Sequence, residues 1–425
     1  MLGQHPRGLI VLFFTEMWER FGFYTMMAIY VLYMDEKLGW GDARKAEFYG
    51  WFLGVVYFVP ILGGWLGDRF LGQRATIRLG SVMMAVGYVA LAVSSRGWIE
   101  PFYLGLVLVA VGTGLFKVNI SVVVGSLYPL GSPLKDAAFN IFYMGINLGG
   151  ALGPLAATWV RSRFDSYNLS FAAAAGGMVL SMVIFHWGRR HLAPAAGGGL
   201  SLVPAPEDVH AASAHAEDRQ RILTLIALFA IAIFFWIGFY QNGFVLTLFA
   251  QRSTVAYRLL RPETYQAFDP VFILVLTPLL LAALSHMRKS GREPSSAAKI
   301  FAGLSIAGLS LVVMVAAGLA GGNRDQNVMS PLWLISSYFL ISLGEILVSP
   351  MGLSLVSKVA PYRIRGLMMG VWFSATAVGS YGSGALGRFY GAIPHHQYFL
   401  LIAALLFFGA LLAFLARKRL DRFAG

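Results

Sequence analysis

A chain of 425 residues that is 57% hydrophobic and only 12% charged, with a mean hydropathy of +0.67, carries too much apolar surface for a water-soluble fold. Its formal net charge of +13 sits singly and in pairs between apolar runs, a pattern that argues against nucleic-acid binding and for lipid headgroups and membrane topology. The absence of cysteine excludes a disulfide framework and any thiolate metal site.

Apolar runs of membrane-spanning length recur along the whole chain. The first six spans are expected near residues 9–34, 46–67, 76–95, 101–127, 138–160 and 168–188. The first is too long for a signal peptide, carries Glu16, Glu19 and Arg20 in its interior and lacks a small-residue cleavage site. Residues 193–220 then turn to Pro, Gly, Ser, Glu, Asp and His without apolar periodicity, which reads as a flexible cytoplasmic linker. Six more spans are expected near 221–250, 269–285, 298–320, 331–357, 366–387 and 397–416. Lys and Arg are more numerous in the segments that lie inside if both termini are cytoplasmic. Arg252, Arg258 and Arg261, on the outer side, run against that bias.

The layout is therefore six plus six: an N-terminal bundle (1–192), the linker (193–220) and a C-terminal bundle (221–425). Between spans two and three stands Gly67-Asp68-Arg69, followed by Gly72 and Arg74. A degenerate echo, from His286 and Arg288 to Gly291 and Arg292, joins spans eight and nine, as parallel halves related by a pseudo-twofold axis would produce. The fold class expected is an all-α membrane protein of about twelve transmembrane helices in two six-helix bundles, a major facilitator fold.

Charge at mid-membrane depth is costly, so such residues usually line a cavity and work there. Glu16, Glu19 and Arg20 lie in span one, Lys117 in span four and Glu345 in span ten. Glu16 and Arg20 are i,i+4 neighbours on one helix face. Three carboxylates against two cations leave an excess negative charge, and Asp269 would add another if it faced the cavity. Desolvation and like-charge repulsion favour a proton on at least one acid, which makes the set a candidate for proton coupling; static ion pairs between helices are the alternative. Gly112 and Gly114 precede Lys117, while Gly344 and Pro350 flank Glu345, so close helix approach and bending are expected there, or simply ordinary membrane packing.

The stretch from Phe14 to Tyr24, with Glu16, Glu19 and Arg20 inside it, resembles the first-helix signature of the proton-dependent oligopeptide transporter family. Three further motifs follow in the family's order: Gly112 to Ser121 around Lys117, Phe142 to Gly149 around Asn147, and Gly344 to Ser354 around Glu345. Gly64 to Arg69 is similar to the family's version of the facilitator loop. The resemblance implies proton coupling through Glu16, Glu19 and Arg20, with Lys117 close by. It also implies that Arg20, Tyr24, Tyr57, Lys117 and Asn147 handle a peptide's carboxylate side and backbone, and that Glu345 takes its amino terminus. Trp236, Trp372 and Phe373 would line side-chain pockets, although lipid or core packing accounts for them equally well on sequence alone.

Three positions depart from the family pattern. Tyr240, before Gln241, stands where an acid is usual, and Met27 stands where its basic partner is usual. Losing both ends together is coherent, since a lone buried charge is worse than none. Met27 and Tyr240 are thus expected to close an outer gate by apolar and aromatic packing, with Pro350 bending its helix as part of the gating. The third departure is Asp269, before Pro270, where asparagine is usual; it faces either the cavity or, as an exposed helix cap, the outer rim. The linker is too short and polar for the two extra helices common in bacterial members.

The function implied is proton-driven symport of di- and tripeptides by alternating access. One rival is a related transporter with a shifted substrate: a peptide-like drug, an amino-acid derivative or nitrate. The other is a receptor or membrane enzyme, for which no metal-ligand cluster and no ordered Ser-His-Asp set is found. No cofactor is expected beyond the proton as coupling ion, no nucleic acid, and no partner beyond small peptides, protons and membrane lipids. The expected form is a monomer in the cell (inner) membrane, multi-pass, with both termini cytoplasmic.

Overall fold

The computed structural model describes residues 5–129, 132, 134–193, 211–361 and 364–422. Among them the chain forms α-helices, short 3-10 and π turns, and isolated β-bridges, with no extended sheet. The helices are α1 (Arg7–Glu36), α2 (Asp42–Leu66), α3 (Gln73–Val93), α4 (Glu100–Ser126), α5 (Leu134–Phe164), α6 (Tyr167–Gly188) and α7 (Ala211–Phe239). They continue with the short α8 (Val245–Arg252), then α9 (Phe268–Lys289), α10 (Ser296–Ala320), α11 (Pro331–Val359), α12 (Arg365–Gly387) and α13 (His395–Arg422). Ten helical stretches among the described residues are long and apolar enough to cross a membrane. α1 and α12 are not among them, because α1 carries Glu16, Glu19 and Arg20 and α12 is rich in Gly and Ser.

The helix boundaries follow the expected spans closely except at α7. Residues 194–210 of the expected linker lie outside the described residues, and 211–220 belong to α7, whose start is built from the strong helix formers Ala, Glu, Arg and Gln. The seventh span is also not continuous. It breaks into a 3-10 turn at Tyr240–Gly243, where Asn242-Gly243 supplies a turn signal, before α8 resumes. The break is held by Gln241, which donates to Ser383 Oγ (3.0 Å) and accepts from Tyr398 Oη (2.8 Å), so a fully buried amide is satisfied.

The chain packs as two compact units. The first contains Met1–Gly41, Val55–Leu202 and Ala256–Val271; the second contains Asp42–Gly54, Val203–Val255 and Phe272–Gly425. The start of α2 thus packs with the second unit, and the strap leading into α9 packs with the first. In the first unit α1 packs on α5 and α6, and α3 on α4 and α6. In the second, α7 packs on α12 and α13, and α10 on α11 and α13. The two pairing schemes correspond helix for helix, which is the packing signature of an internal repeat. Even the closest approaches match. A Cβ on Gly112 of α4 would lie 2.6 Å from the Gly80 carbonyl of α3, and one on Gly344 of α11 would lie 2.8 Å from the Gly303 carbonyl of α10.

Candidate functional site

In the first unit, α1 carries the charged turn in a buried setting: Glu16, Glu19 and Arg20 are 1%, 0% and 4% exposed. Close crossing by α5 is what buries it. Gly145, Gly149 and Gly153 recur at helical spacing; a Cβ on Gly149 would meet Arg20 Cβ at 2.9 Å, and one on Gly153 would meet the Thr25 amide nitrogen at 2.7 Å. Thr25 Oγ1 seals the crossing by donating to the Gly153 carbonyl (3.2 Å) as well as to Phe21 in its own helix (2.7 Å).

Arg20 turns to its sequence neighbour. Its Nε and Nη2 both donate to the Glu19 carboxylate, with Nη2 at 2.5 Å from Oε1, while Glu16 Oε1 stands 3.4 Å from Nε. The face-sharing pair of the sequence, Glu16 and Arg20, is therefore present but is the looser contact. Glu16 Oε2 is buried and accepts no hydrogen bond among the described residues. Lys117 of α4 is half-buried, with Nζ 4.9 Å from the ring centre of Tyr57 on α2, a cation–π contact. It lies within electrostatic reach of Glu16, Glu19 and Arg20, and among the described residues it forms no ion pair. Asn147 is buried on α5 and donates to the Tyr143 carbonyl (3.0 Å). Tyr24 lies beside Gly150, one residue past Gly149 on α5.

Met27 is buried further along α1, and its carbonyl accepts from Gln266 Nε2 (3.4 Å). Asp269 is not an exposed cap: it is 9% exposed in the first turn of α9, directly continuous with the 3-10 strap Pro262–Ala267, and Pro270 beside it approaches Gly150. Gly112 and Gly114, which precede Lys117, serve packing, Gly112 against α3 and Gly114 against Val59 of α2.

The second unit holds the remaining candidates. Glu345 is half-buried on α11, one residue after Gly344, and Pro350 lies exposed within the same helix. Trp236 of α7 stacks on Tyr240 (centroids 5.6 Å apart) and meets Phe235 and Phe239 edge-on. Tyr240 offers its carbonyl to Tyr49 Oη (3.0 Å). Trp372 of α12 is buried against Gly352 of α11 and near Phe229, so it belongs to a different aromatic group from Trp236, while Phe373 beside it is half-buried.

Two ionic clusters lie outside the motifs that the sequence singles out. In the second unit Asp42 is bound by Arg252 (2.7 Å) and Lys45 (2.8 Å). In the first, buried Arg161 reaches Glu36 (3.4 Å), Asp165 (3.2 Å) and buried Glu263 (3.8 Å), with its guanidinium 3.6 Å from the centre of the Tyr167 ring. Their one sequence signal was arginines on the side where few were expected.

A charged α1 turn pressed against α5, a lysine lifted onto a tyrosine and an acid on α11 coincide with the motifs singled out in the sequence. The model of the POT family matches residues 74–198 and 205–413. The chain belongs to the POT family of membrane transporters. It is 32% identical to the uncharacterized transporter YclF of Bacillus subtilis, over 93% of this chain and 90% of that protein. It is 30% identical to dipeptide and tripeptide permease A of Citrobacter koseri, over 90% of this chain and 85% of that one. A crystal structure of a mutant POT peptide transporter in complex with sulfate superposes with a TM-score of 0.87, at 31% identity, over 99% of this chain and 96% of that one. The POT-family chain is thus a multi-pass membrane protein with the major facilitator fold.

Proposed function

We propose that this POT-family chain carries di- and tripeptides across the cell (inner) membrane together with protons, by alternating access, as a monomer with all twelve long helices spanning and both termini cytoplasmic. The observation that carries the coupling is the α1 turn: Arg20 is committed to Glu19, which leaves Glu16 as a buried carboxylate with one oxygen that no donor serves among the described residues. A buried carboxylate oxygen that lacks a donor favours binding of a proton, because the charged form is the one that burial penalises. Lys117, held on the Tyr57 ring and without a carboxylate partner among the described residues, is the cation to which a substrate carboxylate can bind without first breaking an ion pair.

In this reading Arg20 and Lys117 take the peptide's carboxylate, with Tyr24, Tyr57 and Asn147 along its backbone. Glu345 takes its ammonium, and Trp236, Trp372 and Phe373 line side-chain pockets. Buried Asp269 adds negative charge on the path. Met27, Tyr240 and Pro350 act in gating, the first two through packing. The name of the Citrobacter koseri relative supports di- and tripeptides as the substrate class.

The test is uptake of a labelled dipeptide into proteoliposomes with an imposed inward proton gradient, native protein against Lys117→Ala. Accumulation by the native protein and its loss in the variant support the reading. No accumulation by folded native protein refutes peptide symport, and uptake indifferent to collapse of the gradient refutes the coupling.

A further inference from the structure

Arg252, Arg258 and Arg261 run against the charge bias of the membrane topology, and the structure explains two of them. Arg252 is bound to Asp42 (2.7 Å) and Arg261 to Glu263 (3.3 Å). Arg258 makes no ion pair or hydrogen bond among the described residues. It sits at the tip of a two-residue hairpin closed by Tyr257 and Leu260, whose amides and carbonyls bond each other in both directions (3.3 and 3.1 Å). The other tip residue is Leu259, which at 79% has the highest exposure of any large hydrophobic side chain among the described residues; Tyr257 is 57% exposed. A closed tip that presents exposed Leu, Tyr and Arg together leaves apolar surface uncovered by the described residues.

Hydrogen bonds at the base of the hairpin tie its level to the first unit. The Arg261 amide donates to Thr264 Oγ1 (3.0 Å), which lies 2.8 Å from Thr158 Oγ1 of α5 and 3.5 Å from the Leu259 carbonyl. The tip therefore hangs one side chain away from Thr158. Next to Thr158 is Trp159, 62% exposed, followed by exposed Arg163 and Phe164 at the end of the same helix. Exposed tryptophan and arginine at the end of a spanning helix mark the headgroup level of a bilayer.

We propose that the Tyr257–Leu260 hairpin is a membrane-interface anchor: Leu259 and Tyr257 seat at the boundary of the acyl chains, and Arg258 binds the phosphate of an anionic phospholipid. Amphipathic side chains divide in this way at an interface, apolar part inward and charged head at the phosphate. The anchor would hold the strap that runs on through Glu263 into α9, independently of which substrate is carried.

The chain has no cysteine, so Leu259→Cys accepts a single environment-sensitive fluorophore, and its high exposure makes that substitution tolerable. The labelled protein is placed in vesicles of phosphatidylcholine with and without phosphatidylglycerol, and quenched either by lipids bearing a nitroxide near the headgroup or by aqueous iodide. A dye at Gln326→Cys, on an exposed polar loop, is the reference for water. Expected is blue-shifted emission and nitroxide quenching several-fold above the reference, rising with phosphatidylglycerol and losing that rise in Leu259→Cys/Arg258→Glu. Iodide quenching equal to the reference with no nitroxide quenching would overturn the anchor. Nitroxide quenching indifferent to both phosphatidylglycerol and Arg258→Glu would overturn the phosphate site. Neither readout depends on peptide uptake.

Discussion

Arg20 pairs more tightly with Glu19, the residue just before it, than with Glu16 one helical turn away: Nη2 is 2.5 Å from Glu19 Oε1, and Nε is 3.4 Å from Glu16 Oε1. Side chains adjacent in a helix normally diverge. Here the Arg20 guanidinium stays along its own helix, with Cζ 5.0 Å from the centre of the Phe23 ring, while Gly149 of α5 lies close to Arg20 Cβ. The two acids are therefore unequal in their surroundings: Glu19 receives both donors of Arg20, whereas Glu16 keeps one buried oxygen without a donor among the described residues, which is why the proposed coupling assigns the proton to Glu16. Glu16→Gln should keep the fold and the Arg20–Glu19 pair while proton-driven accumulation of dipeptide falls about tenfold or more, a loss of about 1.4 kcal/mol or more of coupling between proton and substrate. Exchange of dipeptide at equal concentrations, which needs no net proton movement, should persist. Wild-type accumulation in Glu16→Gln would remove Glu16 from the coupling.

The α1–α5 crossing makes a prediction about stability. A Cβ at Gly149 would crowd the Met17 carbonyl and stand 2.9 Å from Arg20 Cβ, atoms of a packed helix rather than the end of a flexible side chain. Gly149→Ala should cost about 1–3 kcal/mol, the usual price of overpacking. Gly176→Ala on α6, where a Cβ meets nothing within 4 Å, is the control. Thermal unfolding in detergent should show a drop of several degrees for the first and none for the second; equal curves would mean that α1 and α5 can separate freely.

Much of this was readable in the sequence because bilayer thickness sets span length and the cost of buried charge makes Glu16, Glu19, Arg20, Lys117 and Glu345 stand out from apolar surroundings. The Gly145, Gly149 and Gly153 repeat was readable too, as small residues at helical spacing, but only the structure says which helix lies against it. The break at Tyr240–Gly243 was hidden because the apolar run continues on both sides of Asn242-Gly243. Least readable were Arg161 with Glu263 and Asp42 with Arg252. Each pair joins residues far apart in sequence at the ends of helices, where a charge looks solvated, so only tertiary packing reveals them.

The loop between α9 and α10 allows a pH prediction. Glu293 lies between Arg288 (2.5 Å) and Lys299 (2.7 Å), and hydrogen bonds from the two cations, Arg288 first, hold its carboxyl down at about 2 from an ordinary 4.5. A carboxyl held lower in the folded state stabilises above its unfolded pKa and loses that contribution as pH falls through the folded one. The difference in unfolding temperature between the native protein and Glu293→Gln should thus be constant from neutral pH to about 5 and shrink below 4.5, towards 2. High salt should reduce it as well, because the site is at the surface. A difference that grows on acidification would contradict the pairing.

Arg161 and Glu263 offer the sharpest test of the strap before α9. Arg161 touches three acids, but Glu36 and Asp165 are 40% and 81% exposed and water can take over from the arginine, whereas Glu263 is 1% exposed. Neither carboxylate oxygen of Glu263 has a hydrogen-bond partner among the described residues. It relies for charge on Arg161 at 3.8 Å and Arg261 at 3.3 Å. Arg161→Leu keeps apolar packing on Tyr167 yet leaves a buried carboxylate short of a cation, which costs about 3–5 kcal/mol. Glu263→Gln alone should cost less, since Arg161 keeps Glu36 and Asp165. Combined, the two changes should cost clearly less than the sum of the single effects, with a coupling of about 1–3 kcal/mol. Unfolding temperatures of the four proteins in detergent measure it. Strict additivity would mean that the strap is held to α5 by the Thr158–Thr264 contact and its packing, with no contribution from the buried charge.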